Sequence, residues 1–266
     1  MYYSFSESSI TEFIHSIYRT LKKFNPELTE IWCEPLDIDF LRALDKNERK
    51  ELISYFDFIS IKKGNYIDYI VVDKILFIIR SLNYLQLDIT SLANLLDYDG
   101  FEALTQLILS ESGYYTLKNY RFTDKSYFKS KTKQSKYEID VVGIDKNIIL
   151  LIDCKQWKRK DSYSAMNKAA NLQFRRAIAL EKNNEILSEL IQSLVGIKKS
   201  QKIKPPLSLI PVMVTLESNW IKINENSVPM VSIHRFNSFL QELHNNLYYF
   251  RIVKVKKLQI QKQLLQ

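Results

Sequence analysis

Residues 137–155 read Tyr-Glu-Ile-Asp-Val-Val-Gly-Ile-Asp-Lys-Asn-Ile-Ile-Leu-Leu-Ile-Asp-Cys-Lys, two apolar runs joined by a short polar turn. Asp140 lies in the first run, and Asp153-Cys154-Lys155 closes the second. A hairpin turning at Lys146-Asn147 sets Asp140 opposite Asp153, close enough for one divalent cation to bridge both. Alternation along a strand puts Lys155 on the same face as Asp153. Two carboxylates and an ammonium at the end of an otherwise apolar sheet are costly to place there without a metal or a task. Phosphodiester hydrolysis asks for these residue types: a hard cation held by oxygen ligands, with positions open to water and phosphate. Mg²⁺ or Mn²⁺ lowers the pKa of bound water, and a neighbouring lysine orients that water or stabilises the transition state. The competing reading is a buried salt-bridge cluster, but two acids and one lysine leave a negative charge unpaired.

Such a hairpin needs a sheet beside it and helices over it. Residues 101–111 read as an amphipathic helix ended by Ser112-Gly113, and residues 114–122 as a strand. Residues 123–136 carry Lys125, Lys129, Lys131, Lys133 and Lys136 against Asp124 alone. This is an expected exposed loop whose Tyr127 and Phe128 either stack on bases or fold back onto the body. Lys158 and Arg159 extend the positive surface after the hairpin. A helix is expected over 162–182, strands over 207–216 and 229–233, and a helix over 236–247. Pro211 marks the first of those strands as edge or irregular. The order helix, strand, strand, strand, helix, strand, strand, helix predicts a three-layer α/β fold with a mixed sheet.

Ahead of it, residues 1–98 read as an all-α domain. Ile10, Phe13, Ile14, Ile17, Tyr18 and Leu21 recur at helical spacing. A second helix or helix pair is expected around Phe40–Phe56, a buried apolar segment over 67–82, and a short helix capped by Asp88 or Thr90. These helices could include a helix-turn-helix, although their acidic balance favours an interaction role. The expected divisions are 1–98, an α/β domain over 99–250 and a basic tail over 251–266.

Charge separates these parts. Residues 1–98 carry 11 Lys/Arg and 15 Asp/Glu, whereas residues 99–266 carry 27 and 15. The positive half holds the carboxylate hairpin, which fits a polyanionic partner such as DNA. Other chemistries are poorly served. Cys33 and Cys154 are too few for a disulfide framework, and His15, His234 and His244 lack metal-binding spacing. Five glycines leave no phosphate-cradling loop. No leader-like N-terminus and no bilayer-length apolar run are seen, so a cytoplasmic protein without a membrane partner is expected.

The hairpin with its acid and acid-x-lysine, behind a glutamate-bearing helix, resembles the PD-(D/E)xK, or restriction-endonuclease-like, nuclease superfamily over roughly residues 99–250. The flavour is nearest to archaeal Holliday-junction resolvases and Mrr-type endonucleases. The triplet alone recurs by chance; its weight comes from closing an apolar strand in hairpin register. The resemblance implies an Mg²⁺- or Mn²⁺-dependent DNA endonuclease. Asp140 matches the first motif aspartate, and Asp153 the second acid on the same ion. Cys154 takes the variable position, with its backbone carbonyl a further ligand, and Lys155 is the motif lysine. Glu102 matches the helical glutamate that completes the acidic cluster directly or through water. Gln173 resembles a glutamine that some subgroups place near the site. Ile139 stands where the motif has proline, and Glu138 is a stray ligand or solvent-exposed. Relatives are often homodimers, and residues 1–98 could bind a protein partner. The alternative from another class is a non-catalytic nucleic-acid-binding or scaffold protein that keeps the fold; an RNA-directed nuclease would differ only in substrate.

Overall fold

Polar caps set the boundaries of the first part of the chain. A computed structural model describes residues 5–124, 136–156, 163–216 and 221–258. Lys125, Lys129, Lys131, Lys133, Tyr127, Phe128, Lys158 and Arg159 lie outside the described residues. The chain forms two compact units, Met1–Phe101 and Glu102–Gln266.

In the first unit, Ser6 caps α1 (Glu7–Leu21), which buries Phe13, Ile14 and Ile17. Asp45 and Glu48 form a reciprocal capping box at α3 (Lys46–Ser54), which follows the short α2 (Asp39–Arg42). α4 (Lys74–Leu85) and α5 (Ile89–Ala93) complete the helices. The helical expectation holds for these segments, but the unit also contains a three-stranded antiparallel sheet. Its strands β1 (Glu30–Cys33), β2 (Ile59–Lys63) and β3 (Asp68–Asp73) run in the order β1-β3-β2. The apolar segment over 67–82 is therefore two elements. Ile70, Val71 and Val72 suit a strand, and the Asp73 carboxylate accepts the Ile75 and Leu76 amides, which starts α4 at the next residue. Lys74 is fully buried, and its Nζ donates to the carbonyls of Asn25 (2.8 Å) and Leu95 (3.3 Å).

The second unit is built on a seven-stranded mixed sheet. α6 (Tyr98–Glu111) leads into β4 (Tyr115–Thr123), β5 (Lys136–Asp145) and β6 (Ile148–Lys155), an antiparallel meander. α7 (Tyr163–Lys182), α8 (Asn184–Val195) and the short α9 (Ile197–Ser200) return the chain to β7 (Leu207–Thr215), which is parallel to β6. β8 (Ile221–Ile223), β9 (Pro229–Ser232), α10 (Ile233–Asn246) and β10 (Val253–Val255) follow. The order is β4-β5-β6-β7-β9-β8, with β10 antiparallel to the start of β7. Part of the expected C-terminal tail is thus strand. β7 is buried along its whole length, and Pro211 sits opposite Leu151 in the parallel ladder. The expected edge position is not found, since β6 lies on one side of β7 and β9 and β10 on the other.

Helices cover both faces of this sheet. Val142, Ile144, Ile149 and Leu151 pack with Ala177 and Leu180 of α7 and Leu187 and Leu190 of α8. Gly143 faces α6, where an added Cβ would come within 2.4 Å of the Leu109 side chain. Among the described residues no helix is long and apolar enough to cross a membrane.

Candidate active site

The hairpin turns where expected, with Asp145 paired to Ile148 across a two-residue loop, and Lys146 adopts a left-handed φ of 51°. The β5–β6 ladder then runs from there to Val141–Ile152 and stops. Asp140 and Asp153 come next on their strands, at the point where the two part. Beyond it, β5 pairs only with β4, while Asp153–Lys155 remain paired with Met213–Thr215 of β7. The Asp140 carboxylate fills the split, its Oδ2 accepting the Cys154 amide at 2.7 Å.

A second irregularity meets Asp140 from the other side. Leu117, Tyr120 and Phe122 of β4 and Val142, Ile139 and Tyr137 of β5 all pack on the same cluster. Strict alternation would send Leu117 and Tyr120 to opposite faces. The slip falls at the missing Asn119–Asp140 rung, where Asn119 has φ 57°. Asparagine tolerates this left-handed conformation and β-branched residues do not. Asn119→Val is accordingly expected to cost about 1–2 kcal/mol, and Asn119→Gly little, in urea unfolding. Equal unfolding midpoints for the two variants would contradict this account.

Asp140 and Asp153 are both buried and share one ammonium. Lys155 Nζ lies 3.0 Å from Asp153 Oδ2 and 3.8 Å from Asp140 Oδ2. Among the described residues, Asp153 Oδ2 forms this ion pair yet accepts no hydrogen bond. Its other oxygen receives Arg176 Nη1 of α7 at 2.5 Å, and the same Nη1 donates to Gln173 Oε1 at 2.7 Å. Gln173 therefore reaches the centre through Arg176. The sequence reading missed Arg176, although Gln173-x-x-Arg176 has the spacing that puts two residues on one helix face. Its presence also corrects the charge argument: Lys155 and Arg176 together match Asp140 and Asp153, so a balanced buried cluster is possible without a metal.

Cys154 and Glu102 belong to the opposite face. The Cys154 thiol hydrogen-bonds Thr105, three residues along α6 from Glu102. Burial, and then the charge of Asp140, push the thiol well above its usual 9.0; the Thr105 bond opposes this, and Asp153 and Glu102 add to it. The thiol stays protonated, so a ligand from this residue would be its backbone carbonyl. Among the described residues no group of three or more His, Cys, Asp or Glu side chains is arranged to hold a metal ion. α6 covers the Cys154 face and α7 the Asp153 face, and the charges of Glu102, Asp140 and Asp153 all reach the Cys154 thiol. Mg²⁺, however, is commonly held by one or two carboxylates with waters completing its shell. Asp140 and Asp153, with the Asp153 oxygen that lacks a hydrogen bond, fit that description.

Elsewhere, Glu138 pairs with Arg121 at 2.9 Å and Lys136 is exposed at the start of β5. His234 is exposed on α10. Burial, with Asp37 adding, also raises the Cys33 thiol to about 11. A thiol whose folded pKa exceeds its unfolded one contributes stability below the unfolded value and loses it as pH rises through the folded value. Unfolding free energy should therefore fall between pH 9 and about 11. Cys33→Ala should flatten that fall, and an unchanged slope would refute the assignment.

The mixed sheet, its covering helices and the acid, acid-x-lysine end of β5–β6 define a domain of the PD-(D/E)xK nuclease class. Residues 98–214 match the family model of the nuclease-related domain (NERD). No curated protein matches the chain. Among solved structures the chain is similar to protein VC1899 from Vibrio cholerae, at 10% identity and a TM-score of 0.31. That match covers 91% of this chain and 51% of the other, so the chain spans about half of that structure's length. So slight a likeness adds nothing to the assignment.

Proposed function

We propose that the second unit is a divalent-metal-dependent nuclease that hydrolyses phosphodiester bonds in DNA. The observation that carries this is the meeting of Asp140 and Asp153 on the Lys155 ammonium where β5 and β6 part. Bound between the aspartates, Mg²⁺ or Mn²⁺ would supply an activated water and offset charge building on the phosphate. Asp140 and Asp153 would hold the ion, and Glu102 would act on its shell through water. Lys155 orients the attacking water, since its ammonium already bridges both carboxylates. The positive balance of residues 99–266 supports a polyanionic substrate.

One observation favours a second reading. Arg176 neutralises Asp153 without any ion, as a binder that had lost catalysis would need. Incubating the protein with plasmid, branched and single-stranded DNA, and with RNA, in Mg²⁺ and in EDTA separates the two. The nuclease reading expects cleavage only with the metal. Binding without cleavage in either condition supports the binder, and cleavage indifferent to EDTA defeats the metal role. The RNA arm decides the substrate class.

A further inference from the structure

Arg176 reaches two places at once. On one side its Nη1 holds Asp153 and Gln173. Its Nε is buried and has no hydrogen-bond partner among the described residues, and neither has Nε2 of the fully buried Gln173. Buried donors are rarely left so in native proteins. Two in one cluster, beside an Asp153 oxygen that accepts no hydrogen bond, mark a place that a ligand or water completes. On the other side Arg176 lines a pocket of about 510 Å³ with Arg121, Lys136, Tyr137 and Glu138. Its charged lining is three cations against one carboxylate, and that carboxylate, Glu138, is paired with Arg121. Once Arg176 leaves Asp153 its charge is added to this lining, and a planar guanidinium fork matches phosphate oxygens.

Resting on the nuclease assignment, we propose that Arg176 is a positioning residue that exchanges partners. In the free centre it neutralises Asp153. When the aspartates take a divalent cation, the guanidinium turns into the adjoining pocket and grips a phosphate of the bound strand beside the one under attack. The exchange follows from electrostatics: Asp153 does not serve an ion and a guanidinium equally, and two cations in one buried site repel.

The test compares wild type with Arg176→Met. Mn²⁺ is titrated calorimetrically without nucleic acid, and a short DNA duplex is bound in Ca²⁺ over a range of salt. The variant should bind Mn²⁺ roughly tenfold more tightly, because no buried ion pair has to open to admit it. It should bind DNA more weakly, with the slope of log affinity against log salt reduced by about one. Unchanged or weaker Mn²⁺ binding, or an unchanged slope, overturns the proposal. Should the methionine variant not fold, Arg176→Lys serves instead. It should keep the wild-type Mn²⁺ affinity and lose DNA affinity severalfold, since an ammonium makes no fork; undiminished DNA affinity overturns the proposal. Wild type that binds no Mn²⁺ would instead sink the nuclease assignment itself.

Discussion

Asp153→Asn should lower metal-dependent cleavage by more than about 100-fold, because groups that merely support a ligand already cost ~10–100-fold when removed. The substitution keeps the shape of the side chain and removes the charge that meets Lys155 at 3.0 Å and Arg176 at 2.5 Å. It also has a structural cost. Breaking a buried ion pair by removing one partner costs about 3–5 kcal/mol, because the other charge is left uncompensated. Lys155 is 23% exposed and so partly screened by water, whereas Arg176 is 11% exposed. A net loss of roughly 1–3 kcal/mol is therefore expected. Cleavage rates should be read beside circular dichroism and urea unfolding. A variant that folds and still cleaves at the wild-type rate removes Asp153 from the chemistry.

The largest loss of stability is expected in the first unit, from Lys74→Ala. This side chain has no exposed surface and ends on two carbonyls. Its truncation leaves a cavity and removes both hydrogen bonds, at about 3–5 kcal/mol in all. Lys74→Met refills most of the volume but restores neither bond. It should recover part of the loss, with a residual near 1–3 kcal/mol. Burial, opposed by Asp97, lowers the lysine pKa, so the charge itself is held at a cost. Equal unfolding free energies for wild type and Lys74→Ala would show that the buried ammonium is dispensable.

The outline of the second unit could be read along the chain because its signals are local. The hairpin register follows from the polar pair Lys146-Asn147 between two apolar runs, and the mixed character of the sheet from the helix between β6 and β7, whereas the interior place of β7 was not foreseen from Pro211. The first unit was harder. Ile31 and Cys33 form part of a strand only four residues long, and the β3–α4 join is set by the single capping carboxylate of Asp73. An apolar run that passes from strand to helix without a polar break has no period of its own to betray the change.

In the site, Asp140, Asp153 and Lys155 were legible from two-residue alternation across one hairpin. Arg176 was not, because its partner is 23 residues away and the contact depends on how α7 lies across the sheet. The seating of Cys154 against α6 was equally hidden. It depends on Thr105 meeting the Cys154 thiol, a tertiary contact. Asn119 gave no warning either, since a left-handed asparagine inside a strand has the same letter as one in a turn.

The parting of β5 from β6 has a mechanical consequence. Asp153 and Lys155 are bolted to the middle of the sheet through β7, whereas Arg121 and Lys136 stand on a two-stranded ribbon held by its own rungs and by packing. Bending that ribbon breaks no rung to the rest of the sheet. Under the nuclease reading, a strand in the adjoining pocket would lie between one wall fixed through β7 and one that shares no rung with it.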